Sequence, residues 1–191
     1  MTIYFDFDRT LFDTEKFIKD MEQIIIDENI ELDLFYQCKK YCKGKGFNPF
    51  VILDNIPNIS KDNDIYRKIE ELIQNTYQYV FDDVKPFLEK YQGKYNYVLL
   101  SRGNSDFQLA KVKYSKLQDY FEKIIITMED KGKLDIDYQH GIFIDDYLDE
   151  LKSISKNKPY QVIMINRYLL NGKKKISKIQ CVSSLNEINS L

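Results

Sequence analysis

Six short apolar runs rich in Ile, Val, Tyr and Phe punctuate the chain, at 2–6, 96–101, 123–127, 141–145, 160–165 and 179–182. Each has the length of a strand and few polar interruptions, the pattern of strands buried on both faces. From the second run onward, segments of helical periodicity separate them. Asp106 to Tyr120 predicts one such helix, with Phe107, Leu109, Ala110, Tyr114 and Leu117 at its apolar positions. Strands alternating with helices predict an α/β fold, a parallel sheet with helices on both faces. Leu185, Ile188 and Leu191 are spaced for a last short amphipathic helix that closes the sheet layer.

The stretch from Thr14 to Val80 breaks this rhythm. Phe17, Met21, Ile24 and Ile25 recur at helical spacing, as do Leu34, Phe35, Cys38 and Cys42. Asn48-Pro49 reads as an N-cap followed by proline at the first helical position, and Pro57 stops that segment. Ile65, Ile69, Leu72, Ile73 and Tyr77 mark a longer amphipathic helix, and Lys43-Gly44-Lys45-Gly46 is a glycine-rich turn. Four helices with no strand between them predict a small bundle, residues 14–80, inserted into a core made of 1–13 and 81–191.

Composition narrows the partners more than the fold. A length of 191 residues suits one domain with a modest insertion. A net charge of −2 gives no electrostatic reason to expect nucleic acid or an anionic membrane as partner. The basic run Asn171-Gly172-Lys173-Lys174-Lys175 reads as a solvated turn. No apolar run approaches a bilayer's thickness, and the opening Ile3-Tyr4-Phe5-Asp6 is a strand pattern rather than a basic leader. Three cysteines, an odd number, make no disulfide framework. Cys38 and Cys42 suit packing better than a zinc site, since the only histidine, His140, is remote in sequence. A reducing cytoplasm is the expected setting. Nothing in the sequence bears on oligomeric state.

Chemistry gathers at the strand ends. The first strand delivers Asp6-Phe7-Asp8-Arg9-Thr10 at its carboxyl end, where open parallel sheets bind ligands. One aspartate there is readily explained as a helix cap or turn residue. Two after an apolar run need compensation. Gly141-Ile142-Phe143-Ile144 leads into a second pair, Asp145-Asp146, with Asp149 one helical turn on. Capping explains each pair alone. If the two strands are adjacent, the carboxylates converge, and such a cluster calls for a hard cation with oxygen ligands, which suits magnesium. Tyr97-Val98-Leu99-Leu100 ends in Ser101-Arg102-Gly103-Asn104, a hydroxyl and backbone amides placed for an anion. Lys131 and Lys133 follow the third run, and either reaches far enough to neutralise phosphate charge.

In their order these elements resemble the haloacid dehalogenase-like hydrolases. Asp6-Phe7-Asp8-Arg9-Thr10 is similar to that superfamily's first motif, aspartate-x-aspartate-x-threonine. Ser101 resembles the second, Lys131 or Lys133 the third, and Asp145-Asp146 with Asp149 the acidic fourth. The resemblance implies a Rossmann-like core, with the insertion at 14–80 as a small helical cap. It implies a magnesium-dependent phosphatase acting on a small phosphorylated metabolite, with Asp6 as nucleophile and Asp8 as acid and base. Magnesium would be held by Asp6, the Asp8 carbonyl and Asp146, with Asp145 and Asp149 as ligands or supports. Ser101, Arg102, Gly103 and the lysine, Lys131 in preference to Lys133, would hold the phosphate, and Thr10 would support the loop. Arg9 departs from the usual glycine, asparagine or serine and is expected at the surface. Asp8 argues against haloalkanoate dehalogenation, which needs no acid for an alcohol leaving group. A sugar-phosphate mutase using the same aspartates, and a non-catalytic binding module, are the alternatives.

Overall fold

The computed structural model describes residues 1–136, 138, 140–168, 175–176 and 179–188. The basic run at 171–174 and Leu191 lie outside them. All six expected strands form: β1 (Thr2–Phe5), β2 (Asn96–Arg102), β3 (Lys123–Thr127), β4 (Gly141–Asp145), β5 (Gln161–Ile165) and β7 (Ile179–Val182), joined by a two-residue β6 (Lys175–Ile176). Their order is β3-β2-β1-β4-β5-β7-β6, with β6 antiparallel at the edge and every other pairing parallel. This is an α/β, Rossmann-like sheet with β1 and β4 side by side in its interior.

Alternation along the strands separates two apolar layers. Leu99, Ile142, Ile144, Ile163 and Ile165 face one layer, with Ile3 and Phe5. Leu100, Phe143 and Met164 face the other. The first layer is covered by α1 (Thr14–Asp27), α4 (Asp64–Gln74), α5 (Val84–Tyr91) and α6 (Ser105–Tyr114), through Phe17, Met21, Ile65, Ile69, Phe87 and Phe107. The second is covered by α7 (Leu148–Ser155), through Leu151 and Ile154, with Tyr138. Burial of each large side chain contributes about 1.5–3 kcal/mol.

Between β1 and α5 lie α1, α2 (Leu32–Cys38), α3 (Pro49–Leu53) and α4, with 3-10 turns at Lys39–Cys42 and Thr76–Tyr79. Asn48 caps α3 by accepting the Phe50 amide, with Pro49 at the first turn as expected. Cys38 and Cys42 are buried thiols against the Asn55 and Asn48 carbonyls. At Gly46 (φ 78°) a Cβ would sit 2.2 Å from the Asn104 amide nitrogen, so glycine lets this turn close on the loop after β2. Asn104 locks the approach, donating to the Lys45 carbonyl at 3.0 Å. The expected helix 106–120 ends early: α6 stops at Tyr114, Lys116 turns left-handed (φ 59°), and a 3-10 turn spans Gln118–Tyr120. Leu117 is still buried, which is why the periodicity ran on. Leu185 and Ile188 are buried around a 3-10 turn at Leu185–Glu187, in place of a final α-helix.

Candidate active site

Register brings the two carboxylate pairs together. Phe5 pairs with Leu99 on β2 and Ile144 on β4, so the next residue, Asp6, lies level with Asp145. The Asp6 amide continues the ladder, donating to the Ile144 carbonyl at 2.9 Å. Asp6, Asp145 and Asp146 each place a carboxylate oxygen within 4.8 Å of the others. Lys131 Nζ lies between two of them, 2.7 Å from Asp6 Oδ1 and 2.6 Å from Asp145 Oδ2. Lys131 is held from behind: its amide donates to Glu150 Oε2 at 2.8 Å, and its carbonyl accepts the Tyr138 hydroxyl. Lys133 is exposed.

The charges do not cancel. Burial opposes the Lys131 ammonium, but Asp6 and Asp145 reverse that and hold its pKa above the ordinary lysine range. Burial drives the Asp6 pKa well up. Lys131 pulls it back, while Asp145 and Asp146 push it further. Asp146 is pushed up to about 7, by burial first and Asp145 second, against Arg9 and Lys131. Three buried or half-buried carboxylates around one ammonium leave an excess of negative charge. The donors are all oxygen, so a hard divalent cation such as magnesium fits this group. Asp149 lies apart, exposed and paired with Lys152 at 3.0 Å.

Asp8 lies in a different setting. The chain turns after β1, with the Thr10, Leu11 and Phe12 amides converging on the Phe7 carbonyl at 3.3, 2.9 and 3.0 Å. Arg9 takes a left-handed conformation (φ 57°), which favours residues such as glycine and asparagine. Its exposed guanidinium pairs with Glu15 at 2.8 Å. Asp8 Oδ1 accepts from Lys111 Nζ at 2.6 Å and Thr14 Oγ1 at 2.8 Å, and Oδ2 accepts from Gln108 Nε2 at 2.6 Å. Burial alone would raise the Asp8 pKa. Lys111 overrides it, with Gln108 and Thr14 adding to the effect, so the pKa is lowered and the group is held ionised.

Gln108, Lys111 and Thr14 were given no role in the site from the sequence. Gln108 and Lys111 stand three apart on the buried face of α6. Two polar residues on an otherwise core-facing helix stripe were the available signal. Ser101 is buried and accepts from Gln108 Nε2 at 3.2 Å, with its own proton uncommitted among the described residues. Arg102 points to Glu150 at 2.8 Å, and the Gly103 amide is used by the Thr127 carbonyl at 2.9 Å. Gly103 therefore offers no free amide to an anion in this conformation. The Thr10 hydroxyl is buried without a partner among the described residues, and its carbonyl accepts Arg167 Nε and Nη2 at 2.9 and 2.6 Å. Arg167 also pairs with the half-buried Asp83 at 2.6 Å. The residues following β5 thus hold the loop that carries Asp8, another contact the sequence did not reveal.

A cavity of about 330 Å³ opens beside Asp8, between α1, the Lys39–Cys42 turn and the start of α6. Its walls include Phe17, Met21, Phe47 and Phe107.

Solved structures share the fold. YfnB from Bacillus subtilis, bound to magnesium, superposes with a TM-score of 0.64 at 16% identity, over 98% of this chain and 96% of that one. A HAD phosphatase from Thermococcus onnurineus gives 0.62 at 17% identity, over 98% and 95%. A 2-haloacid dehalogenase from Pseudomonas syringae pv. Tomato gives 0.68 at 16% identity, over 98% and 95%. At these identities the likeness is one of fold. No curated protein sequence matches the chain. The family model of haloacid dehalogenase-like hydrolases matches residues 3–165, and the chain belongs to that family. Among the described residues no helix is long and apolar enough to cross a membrane.

Proposed function

We propose that the protein is a magnesium-dependent phosphomonoester hydrolase that works through an aspartyl-phosphate on Asp6. The observation that carries this reading is the pair of aspartates two residues apart, one in a cation-seeking acidic group and the other held by a lysine beside an open cavity. A dehalogenase has no use for the second. In the first step an Asp6 carboxylate oxygen bonds to phosphorus as the bond to the leaving oxygen breaks, and Asp8 gives that oxygen a proton. Phosphoryl charge arriving at Asp6 raises the proton affinity of Asp8 and loads it for this role. In the second step Asp8 takes a proton from water as the water oxygen attacks phosphorus, which releases phosphate and restores Asp6. Ser101 and Lys131 bind the phosphoryl oxygens. Asp6, Asp145 and Asp146, with the Asp8 carbonyl, would hold magnesium, which when bound would neutralise phosphoryl charge. Residues 14–80 act as the cap that covers this site.

Phosphate release from p-nitrophenyl phosphate and a phosphometabolite panel tests the reading, with magnesium and with chelator, beside Asp6→Asn. Magnesium-dependent release lost in Asp6→Asn is expected. Isomerised sugar phosphate without free phosphate would mean a mutase. Magnesium binding with no turnover of any compound by folded protein would mean a binding module.

A further inference from the structure

The cavity beside Asp8 differs in character from the acidic group beside Asp6. Asp8 is the residue that meets the leaving oxygen, so, on the phosphatase reading above, this cavity receives the alcohol part of the ester. Its apolar walls are Phe17, Ile18, Met21, Phe47 and Phe107. Phe107 meets Phe47 edge-on at 5.7 Å and Phe17 at 6.2 Å between ring centroids.

Most polar side chains of the wall are already engaged; the exception is Lys39, whose ammonium stands 5.7 Å from the Phe47 ring centroid. Thr14, Gln108 and Lys111 bind Asp8, Arg9 pairs with Glu15, and Arg102 pairs with Glu150. Asn104 donates to the Lys45 carbonyl and accepts from the Phe107 amide and from Asn48. The Tyr36 hydroxyl donates to Glu22 at 2.5 Å. Gln108 Oε1 is a buried acceptor without a partner among the described residues. A polyhydroxylated body would lose water from several hydroxyls and find few groups to replace it, and each one left unmet weakens binding. An apolar body meets no such cost, and each buried methylene adds about 0.8 kcal/mol of binding. A volume of about 330 Å³ lies at the small end of ligand pockets.

We infer that the substrate is a phosphomonoester of a compact apolar alcohol, aromatic or aliphatic, rather than a sugar phosphate. The test is a series of ethyl, butyl and hexyl phosphates with benzyl phosphate, set against ribose 5-phosphate and glucose 6-phosphate, with magnesium. The expected kcat/KM rises by about fourfold for each added methylene until the cavity fills, the factor equivalent to ~0.8 kcal/mol. Both sugar phosphates fall at least about tenfold below benzyl phosphate. Phe47→Ser, with its fold checked by circular dichroism, flattens the alkyl series. A flat series in the wild type, or a preference for the sugars, overturns the inference and leaves the phosphatase reading standing. If no compound is hydrolysed, that reading fails by itself, and calorimetry still decides the cavity. Benzylphosphonate binding more tightly than ribose 5-phosphate supports the inference, and the reverse order overturns it.

Discussion

Asp6 and Asp8 are two residues apart on one loop, yet their surroundings push them in opposite directions. Asp6 shares a buried corner with Asp145 and Asp146, and its pKa is driven up. Asp8 faces Lys111, Gln108 and Thr14, and its pKa is driven down. The sheet causes the first effect, because parallel register places the ends of β1 and β4 side by side. The helix causes the second, because α6 presents a lysine and a glutamine to the same loop. Neighbouring titratable groups with strongly perturbed pKa values cluster at functional sites.

Lys131→Met should have the largest effect. It strips the ammonium from two buried carboxylates, a change expected to cost about 3–5 kcal/mol of stability. In a chain of this size that is a fall in Tm of roughly 6–20 °C in chelator, read by thermal melting. Magnesium should recover part of the loss, because the corner becomes more negative. It should recover none of any loss in Lys111→Met, whose lysine serves Asp8. Equal recovery in both variants would erase the distinction between the two ends.

Lys111→Met should do less to stability and more to turnover. The Lys111 ammonium lies 5.0–5.4 Å from the ring centroids of Phe7, Phe12 and Phe107, a setting that methionine fills well. The expected stability loss is about 1 kcal/mol, while phosphate release falls roughly 10- to 100-fold as Asp8 loses its strongest contact. Where Asp8→Asn leaves a measurable residual release, adding Lys111→Met should lower it no further. A further drop would give Lys111 a separate role.

The acidic end was far more legible in the sequence than the Asp8 end. β1, β2 and β4 are buried on both faces, so each reads as an unbroken apolar run whose first polar residue marks the strand end. Asp6, Ser101 and Asp145 are those residues or their neighbours. The choice between Lys131 and Lys133 needed tertiary structure, since both leave the same strand and only Lys131 turns inward onto Asp6. Gln108 and Lys111 were missed because a buried polar residue on a helix looks, in one dimension, like a break in the apolar stripe. Arg167 follows β5 closely, yet its partners Thr10 and Asp83 lie 157 and 84 residues away. No local pattern carries that information. β6 escaped because two residues are too few to show a period.

The smallest effect is a slope rather than a loss. Asp146 is raised from 3.8 to about 7, so between those values the folded protein holds a proton that the unfolded chain has released. Stability from this group therefore falls as pH rises from about 4 to about 7. Asp8 has the opposite sign: its lowered pKa stabilises the fold above the ordinary carboxylate range and is lost only as pH drops below it. Melting curves from pH 5 to 7.5 in chelator should show Tm declining in the wild type. Asp146→Asn should decline less steeply, with the remaining slope carried by Asp6, which is raised for the same reasons. Asp8→Asn should keep the wild-type slope, because its titration lies below this window. Parallel curves for wild type and Asp146→Asn would mean that Asp146 is already ionised in the folded protein, and the excess charge at the Asp6 end would then be compensated by the protein itself.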